Sequence, residues 1–143
     1  MGTLTIADSV PQEFWSTIAA AGGDPERLRV ELKGMSREQL VHFCWTYEEL
    51  AAHLRTERHL PYVQRDLSED GIAELANWVV AQGKSEYRKI LDTPRLIPGK
   101  KTDPGLLSAL IEEFDERYDD DIPPNTRVWD DDWRTHGKKS PWD

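Results

Sequence analysis

Between Ser36 and Leu54 the apolar side chains of Leu40, Phe43, Cys44, Tyr47, Leu50, Ala51 and Leu54 recur at helical intervals. That spacing describes one face of an α-helix and excludes a strand, whose faces alternate every second residue. Ser36 and Gln39 form an S-x-x-Q pattern at its start, in which each side chain satisfies the other's backbone donor. Pro61 marks its outer limit, and the stretch 57–66 reads equally as a turn, a loop or a short continuation. A helix with so wide an apolar face must be covered by other elements.

The rest of the chain supplies covers of the same kind. Ser9 and Gln12 repeat the S-x-x-Q pattern, with Pro11 expected in the first turn of a helix that presents Phe14, Trp15, Ile18 and Ala19. Gly22-Gly23 stops it. Asp24-Pro25 restarts the chain as a cap and a first-turn proline, with Leu28 and Leu32 inward and Gly34 at the end. Ser68 begins a fourth helix with Glu69 and Asp70 near its positive end and a stripe of Ile72, Leu75, Ala76, Val79 and Val80. Gly83 reads as its terminator. A short fifth helix over 84–91 turns Tyr87, Ile90 and Leu91 inward. Residues 92–102 read as loop. Asp103-Pro104 then repeats the cap-plus-proline signal before Leu106, Leu107, Leu110, Ile111, Phe114 and Tyr118. No segment alternates as a strand between hairpin turns, and no internal repeat or dividing linker is visible. The expectation is an all-α, single-domain bundle of five to six helices over residues 1–143. Its core spans about 9–118, and an irregular Trp/Asp-rich arm spans 119–143.

Composition narrows the function. At 143 residues the chain suits one core. No apolar run is long enough to span a membrane, and the first residues lack a secretory signal's basic and apolar regions, so the setting is expected to be cytoplasmic. The single cysteine, Cys44, excludes an internal disulfide framework and any multi-cysteine zinc site. The formal net charge of −9 disfavours nucleic acid, where phosphate neutralisation drives binding. His42 and His53 are three helical turns apart, too far to share a metal, and there is no H-E-x-x-H motif. Nucleophile-elbow, phosphate-loop and dinucleotide motifs are absent as well. The sequence therefore points to no catalytic residue, no metal and no cofactor, and leaves oligomeric state open. Cys44 sits on an apolar stripe, where cysteine acts as a small hydrophobe.

The charge is concentrated. Residues 103–133 carry eleven acidic and two basic side chains, a balance equal to that of the whole chain. Asp119, Asp120 and Asp121 follow the last helix, where the dipole disfavours anions by about 0.3–1 kcal/mol each at low salt. Trp129 and Trp133 stand four apart around Asp130, Asp131 and Asp132, so a helical turn there would put both rings on one side. The acidic run reads either as a solvated end that promotes solubility or as an electronegative surface for a basic protein partner; the rings either pack back onto the body or join Asp115, Glu116, Asp119–Asp121 and Asp130–Asp132 in that surface. The acidic runs lack the calcium-loop pattern.

A second constellation is Ser68-Glu69-Asp70-Gly71, followed by Trp78, Gln82-Gly83 and Tyr87. These residues either weld two helices to the core or, with Trp15 and His42, line an aromatic pocket. Phe14-Trp15, Gly23-Asp24-Pro25, this central block, the acidic helix end before Ile122-Pro123 and the tail from Trp129 to Trp133 resemble, in order, a bacterial helical family of unknown function. The likeness spans about residues 11–133. Ile72 departs from the aromatic expected after Gly71, and the loop 94–103 looks individual. The resemblance implies a helical architecture and a bacterial cytoplasmic setting, and it carries over no catalytic residue. The leading expectation is a non-enzymatic acidic protein-binding or regulatory module, an immunity-type protein being one form. The alternatives are a small enzyme or biosynthetic accessory protein built on the pocket, and an assembly role for the tail.

Overall fold

The computed structural model describes residues 9–55 and 67–125. These form six α-helices: α1 (Gln12–Ala21), α2 (Pro25–Leu32), α3 (Arg37–His53), α4 (Glu69–Ala81), α5 (Lys84–Asp92) and α6 (Leu106–Tyr118). A 3-10 turn at Pro94–Leu96 follows α5. No strand occurs among the described residues, so the fold is all-α. The segment 57–66, the tryptophans at 129, 133 and 142 and the aspartates at 130–132 lie outside the described residues.

Local signals account for several helix starts. At α3 the Gln39 N–H donates to Ser36 Oγ at 3.2 Å, and the Ser36 N–H donates to Gln39 Oε1 at 2.8 Å. That is the reciprocal box the sequence predicts. At α2 the Glu26 N–H donates to Asp24 Oδ1 at 3.0 Å, with Pro25 in the first position. At α4 the Gly71 N–H donates to Ser68 Oγ at 3.1 Å. Gly71 is buried beneath Leu67, whose Cβ would lie 3.4 Å from any Cβ added there. Leu67 itself packs on the core, as a residue before an N-cap does when it staples the helix entry. The Ser-Glu-Asp-Gly block thus has a local structural role. Gly83 joins α4 to α5 at φ +101°, a conformation that L side chains rarely adopt.

Two expected starts are different. Pro11, not Ser9, is the N-cap of α1, and it supplies no side-chain cap. Proline disfavours helical conformation in the residue before it, so a helix cannot run smoothly through Val10. Gly105, not Asp103, precedes α6, at φ +88°. Asp103 is spent elsewhere: Oδ1 accepts from the Gly105 N–H at 2.8 Å and Oδ2 from Asn77 Nδ2 at 2.9 Å. That pair ties the loop to α4.

The centre of the fold is α3, which buries Leu40, Val41, Phe43 and Cys44 and then Trp45, Tyr47, Leu50 and Ala51. Its neighbours meet it through aromatic rings and hydroxyls. Phe14 of α1 lies 4.6 Å from Phe43, centroid to centroid. Tyr47 OH donates to the Asn77 carbonyl of α4 at 2.8 Å, and Tyr87 OH of α5 donates to the Leu50 carbonyl at 2.6 Å. α6 packs on both α2 and α3. Buried residues of all six helices form one connected core.

Stripe details shift accordingly. Ala19 is exposed and Ala21 buried. On α6, Ile111 is 46 % exposed and Leu107 half-buried, while Ala109 and the carboxylate-bearing Glu113 are buried. The packing face of α6 is rotated toward α2, where an arginine meets Glu113. After α6 the chain turns at Asp119, φ +49°, and Trp45 Nε1 donates to the Pro123 carbonyl at 2.9 Å. The start of the expected arm is therefore fixed against α3.

Ser68→Ala removes the α4 cap and is expected to cost about 1 kcal/mol. The measurement is a lower urea midpoint at unchanged slope. An unchanged midpoint would show that the cap does not stabilise α4.

Candidate functional site

Part of the acidic surface is already occupied by the protein's own arginines. Arg29 of α2 reaches α6, where its Nε lies 3.2 Å from Glu113 and its Nη2 hydrogen-bonds Glu116. Its Nη1 stands 3.7 Å from Glu112. Arg117 approaches Glu113 from within α6 at 2.9 Å and donates to the Leu32 and Met35 carbonyls, both at 2.8 Å. It therefore closes the C-terminal end of α2, where unsatisfied carbonyls favour a cation. Glu113 is the hub. Burial pushes its carboxyl up, but the hydrogen bonds and charges of Arg117 and Arg29 outweigh that and hold it below the usual range. Arg37 pairs with Asp120 at 3.0 Å, and its guanidinium lies 5.0 Å from the ring centroids of Phe114 and Tyr118. Both partners in this pair are about half exposed, so it orients the chain more than it stabilises it.

The remainder is what a partner would meet. Asp115, Asp119 and Asp121 are exposed and form no ion pair among the described residues. Glu112 keeps 68 % of its side chain in solvent. Of the expected partner-binding residues in the described part, Glu116 and Asp120 are engaged internally. Asp115, Asp119 and Asp121 are open.

Of the residues of the expected aromatic pocket, Trp15 meets Tyr87 and Gln82 meets Trp78, but the five do not line one cavity. Trp15 and Tyr87 are core residues, 2 % and 0 % exposed, with ring centroids 5.7 Å apart. They fill the interior because Tyr87 finds its hydroxyl partner in α3, so neither lines an open pocket. Trp78 is half-buried under Lys101, whose Nζ lies 5.1 Å from the ring centroid. Gln82 is exposed and donates back to the Trp78 carbonyl at 3.2 Å. His42 is exposed on the opposite run of α3, beside Trp45, on a groove of about 370 Å³ floored by Phe14, Met35 and Phe43.

A separate cleft, of about 310 Å³, opens between α3, α4 and the start of α6. Ala51, Ala52, Ala73, Ala76 and Leu107 form its apolar walls. Glu48 and Arg55 stand at its edge, and Glu49, 1 % exposed, is also part of the lining. The sequence reading misses this cleft. The signal available was two alanines on each facing helix, but which helices face each other is a long-range fact.

Cys44 donates from Sγ to Glu48 Oε1 at 3.3 Å. Burial, followed by the Glu48 charge and hydrogen bond, pushes the thiol far up, so it is no nucleophile near neutral pH. Among the described residues no group of three or more His, Cys, Asp or Glu is placed to hold a metal ion. Among the same residues no helix is long and apolar enough to cross a membrane.

Comparison with known proteins finds no matching curated protein and no matching solved structure. A family model described as a protein of unknown function, DUF4240, matches residues 11–121, which takes in all six helices.

Two outcomes follow from these groups. The folded state holds Glu113 ionised to lower pH than the unfolded chain does. The stability this confers is complete above the ordinary glutamate value of about 4.3 and is lost as pH falls through the lower folded value. Urea midpoints measured against pH should show that loss. In Glu113→Gln they should be lower at neutral pH and fall less steeply across the same window, converging on the wild-type curve in acid. Parallel curves would remove Glu113 from the hub. Cys44 should react with a thiol reagent only after unfolding, and rapid labelling of the native chain would contradict its burial.

Proposed function

The chain belongs to the DUF4240 family, and we propose that it is a non-enzymatic module whose acidic surface binds a protein partner with a basic surface. The observation that carries the reading is the acid left over at the end of α6. Arg29, Arg37 and Arg117 take up Glu113, Glu116 and Asp120, yet Asp115, Asp119 and Asp121 remain exposed and unpaired among the described residues. Each like charge added near a helix C-terminus is unfavourable, so this surplus has a cost in the isolated chain. A basic partner converts that cost into attraction and speeds encounter, in a way that salt weakens. Regulation or neutralisation of a basic protein, as by an immunity-type protein, suits such a surface. The bacterial cytoplasmic setting implied by the sequence resemblance belongs to this proposal. The reading as an enzyme or accessory protein gains no support from Trp15, His42, Trp78, Gln82 and Tyr87, which do not line one cavity.

The test is capture from the native host by the tagged chain at about 50 and about 300 mM salt, conditions that bracket physiological screening. The control carries Asp115→Asn, Asp119→Asn and Asp121→Asn and leaves the Arg37 partner intact. A single basic protein is expected at low salt, with recovery lowered about tenfold at high salt and in the control. Capture that is insensitive to both changes would sink the electrostatic reading.

A further inference from the structure

We propose that the lysine pair Lys100 and Lys101 is the docking site of the chain's own acidic run, Asp130–Asp132, which lies outside the described residues. The inference goes beyond the partner-binding reading, which is carried by Asp115, Asp119 and Asp121. It starts from a charge that the overall balance hides. Residues 84–101 carry six basic and two acidic side chains, in a chain whose net charge is −9. Two of the six are spent locally: Lys89 pairs with Glu86 at 2.9 Å, and Arg88 stands 3.9 Å from Asp92. Lys100 and Lys101 form no ion pair among the described residues. Lys100 is exposed, and Lys101 is half-buried with its ammonium 5.1 Å from the Trp78 ring centroid. The loop that carries them is held down. Ile97 packs on the core, and Asp103 takes the Asn77 amide of α4 at 2.9 Å and the Gly105 N–H at 2.8 Å. The lysines therefore stand over α4 at a set place, and a preplaced cation loses less freedom on pairing.

The acidic run sets out from the same side of the fold. Trp45 Nε1 holds the Pro123 carbonyl at 2.9 Å, and Asn125 lines the α3–α4 cleft with Ala73, Ala76 and Asn77. Asn77 is thus common to the place where the described chain ends and to the tie that holds the lysine loop. Asp130 is five positions beyond Asn125, a reach of up to about 17 Å. Arg55 stands within the same compass at the edge of the cleft, but Glu48 shares that edge and offsets it. The loop instead offers two cations side by side to three carboxylates. So short a connection sets an effective concentration on the order of millimolar, at which modest attraction suffices. A basic partner drawn to Asp130–Asp132 must displace these lysines, so the contact is an internal competitor.

Zero-length carbodiimide coupling of the full chain tests the contact, because it joins an amine to a carboxylate only where the two meet. A dilute, equal mixture of isotope-labelled and unlabelled chain separates coupling within one copy from coupling between two. Mass spectrometry is expected to find Lys100 or Lys101 joined to the 130–132 run within one copy. The yield should be about tenfold above coupling of that run to Lys33, the exposed lysine after α2. Raising salt from about 50 to about 300 mM should cut the yield severalfold. In the isotope-labelled chain, the amide resonances of 130–132 should move in Lys100→Gln with Lys101→Gln and stay in place in Arg55→Gln. Absence of that coupling, or coupling spread evenly over the lysines, overturns the inference. Coupling found only between labelled and unlabelled copies overturns it too, and assigns the lysine pair to a second copy. Resonances that move only in Arg55→Gln place the run at the cleft edge and equally overturn it. None of these outcomes bears on capture of a basic protein through Asp115, Asp119 and Asp121, so the two readings fail separately.

Discussion

A helix that is apolar on most of its circumference must be met on every side, and α3 is met by rings and hydroxyls from four directions. Phe14, Asn77 and Tyr87 fix where α1, α4 and α5 lie against it, and Trp45 holds the chain that returns after α6. The two tyrosines explain how large aromatics sit at 0 % exposure without leaving a polar atom stranded. Each hydroxyl ends on a helix carbonyl of a neighbour, so removing the ring would open a cavity and removing the hydroxyl would strip a bond from a dry site. The covering helices are short, from eight to thirteen residues. Helices of that length are marginal alone in water, so their stability comes from packing on α3 and on one another.

The ionic contacts do a different job. Aliphatic packing between α2 and α6 permits sliding, because apolar contact has little direction. Glu113 removes that freedom. It is buried, it receives Arg29 from α2 and Arg117 from α6, and Arg117 continues to the carbonyls that end α2. A buried carboxylate is costly unless both its oxygens are satisfied, and here each oxygen has its own guanidinium. The arrangement therefore penalises every other register of α2 on α6. It sets orientation more surely than it adds stability, and the exposed outer pairs, Arg37 with Asp120 and Arg29 with Glu112, add little beyond it.

What the sequence revealed and what it concealed divide along contact range. The caps at Asp24, Ser36 and Ser68 depend on residues two or three positions away and are visible in the string. So are the stripes of α3 and α4, whose period is a local property. Ser9 and Asp103 also had the right local pattern, but Pro11 constrains Val10 from one side, and Asn77 takes hold of Asp103 from another helix. The hidden features all depend on distant partners. Arg29 and Glu113 are 84 residues apart, and Arg37 and Asp120 are 83 apart. Counting charge along the chain treated the whole stretch 103–133 as one acidic surface, although arginines from α2 and α3 had already claimed part of it. Trp15 and Tyr87 were equally ambiguous, since an aromatic has the same letter in a core and in a pocket.

That subtraction sharpens the meaning of the charge. If solubility alone set the acidic count, the acids would be as well spread over the surface as the rest of the chain's charges are, since residues 1–102 carry nearly balanced signs. Instead, the internal arginines stop at Glu116 and Asp120 and leave Asp115, Asp119 and Asp121 at the negative end of α6. Asp119 even occupies a left-handed turn position, φ +49°, for which glycine would be the relaxed choice. A local departure of this kind, with no compensating ion pair among the described residues, is the feature on which the proposed partner-binding reading rests.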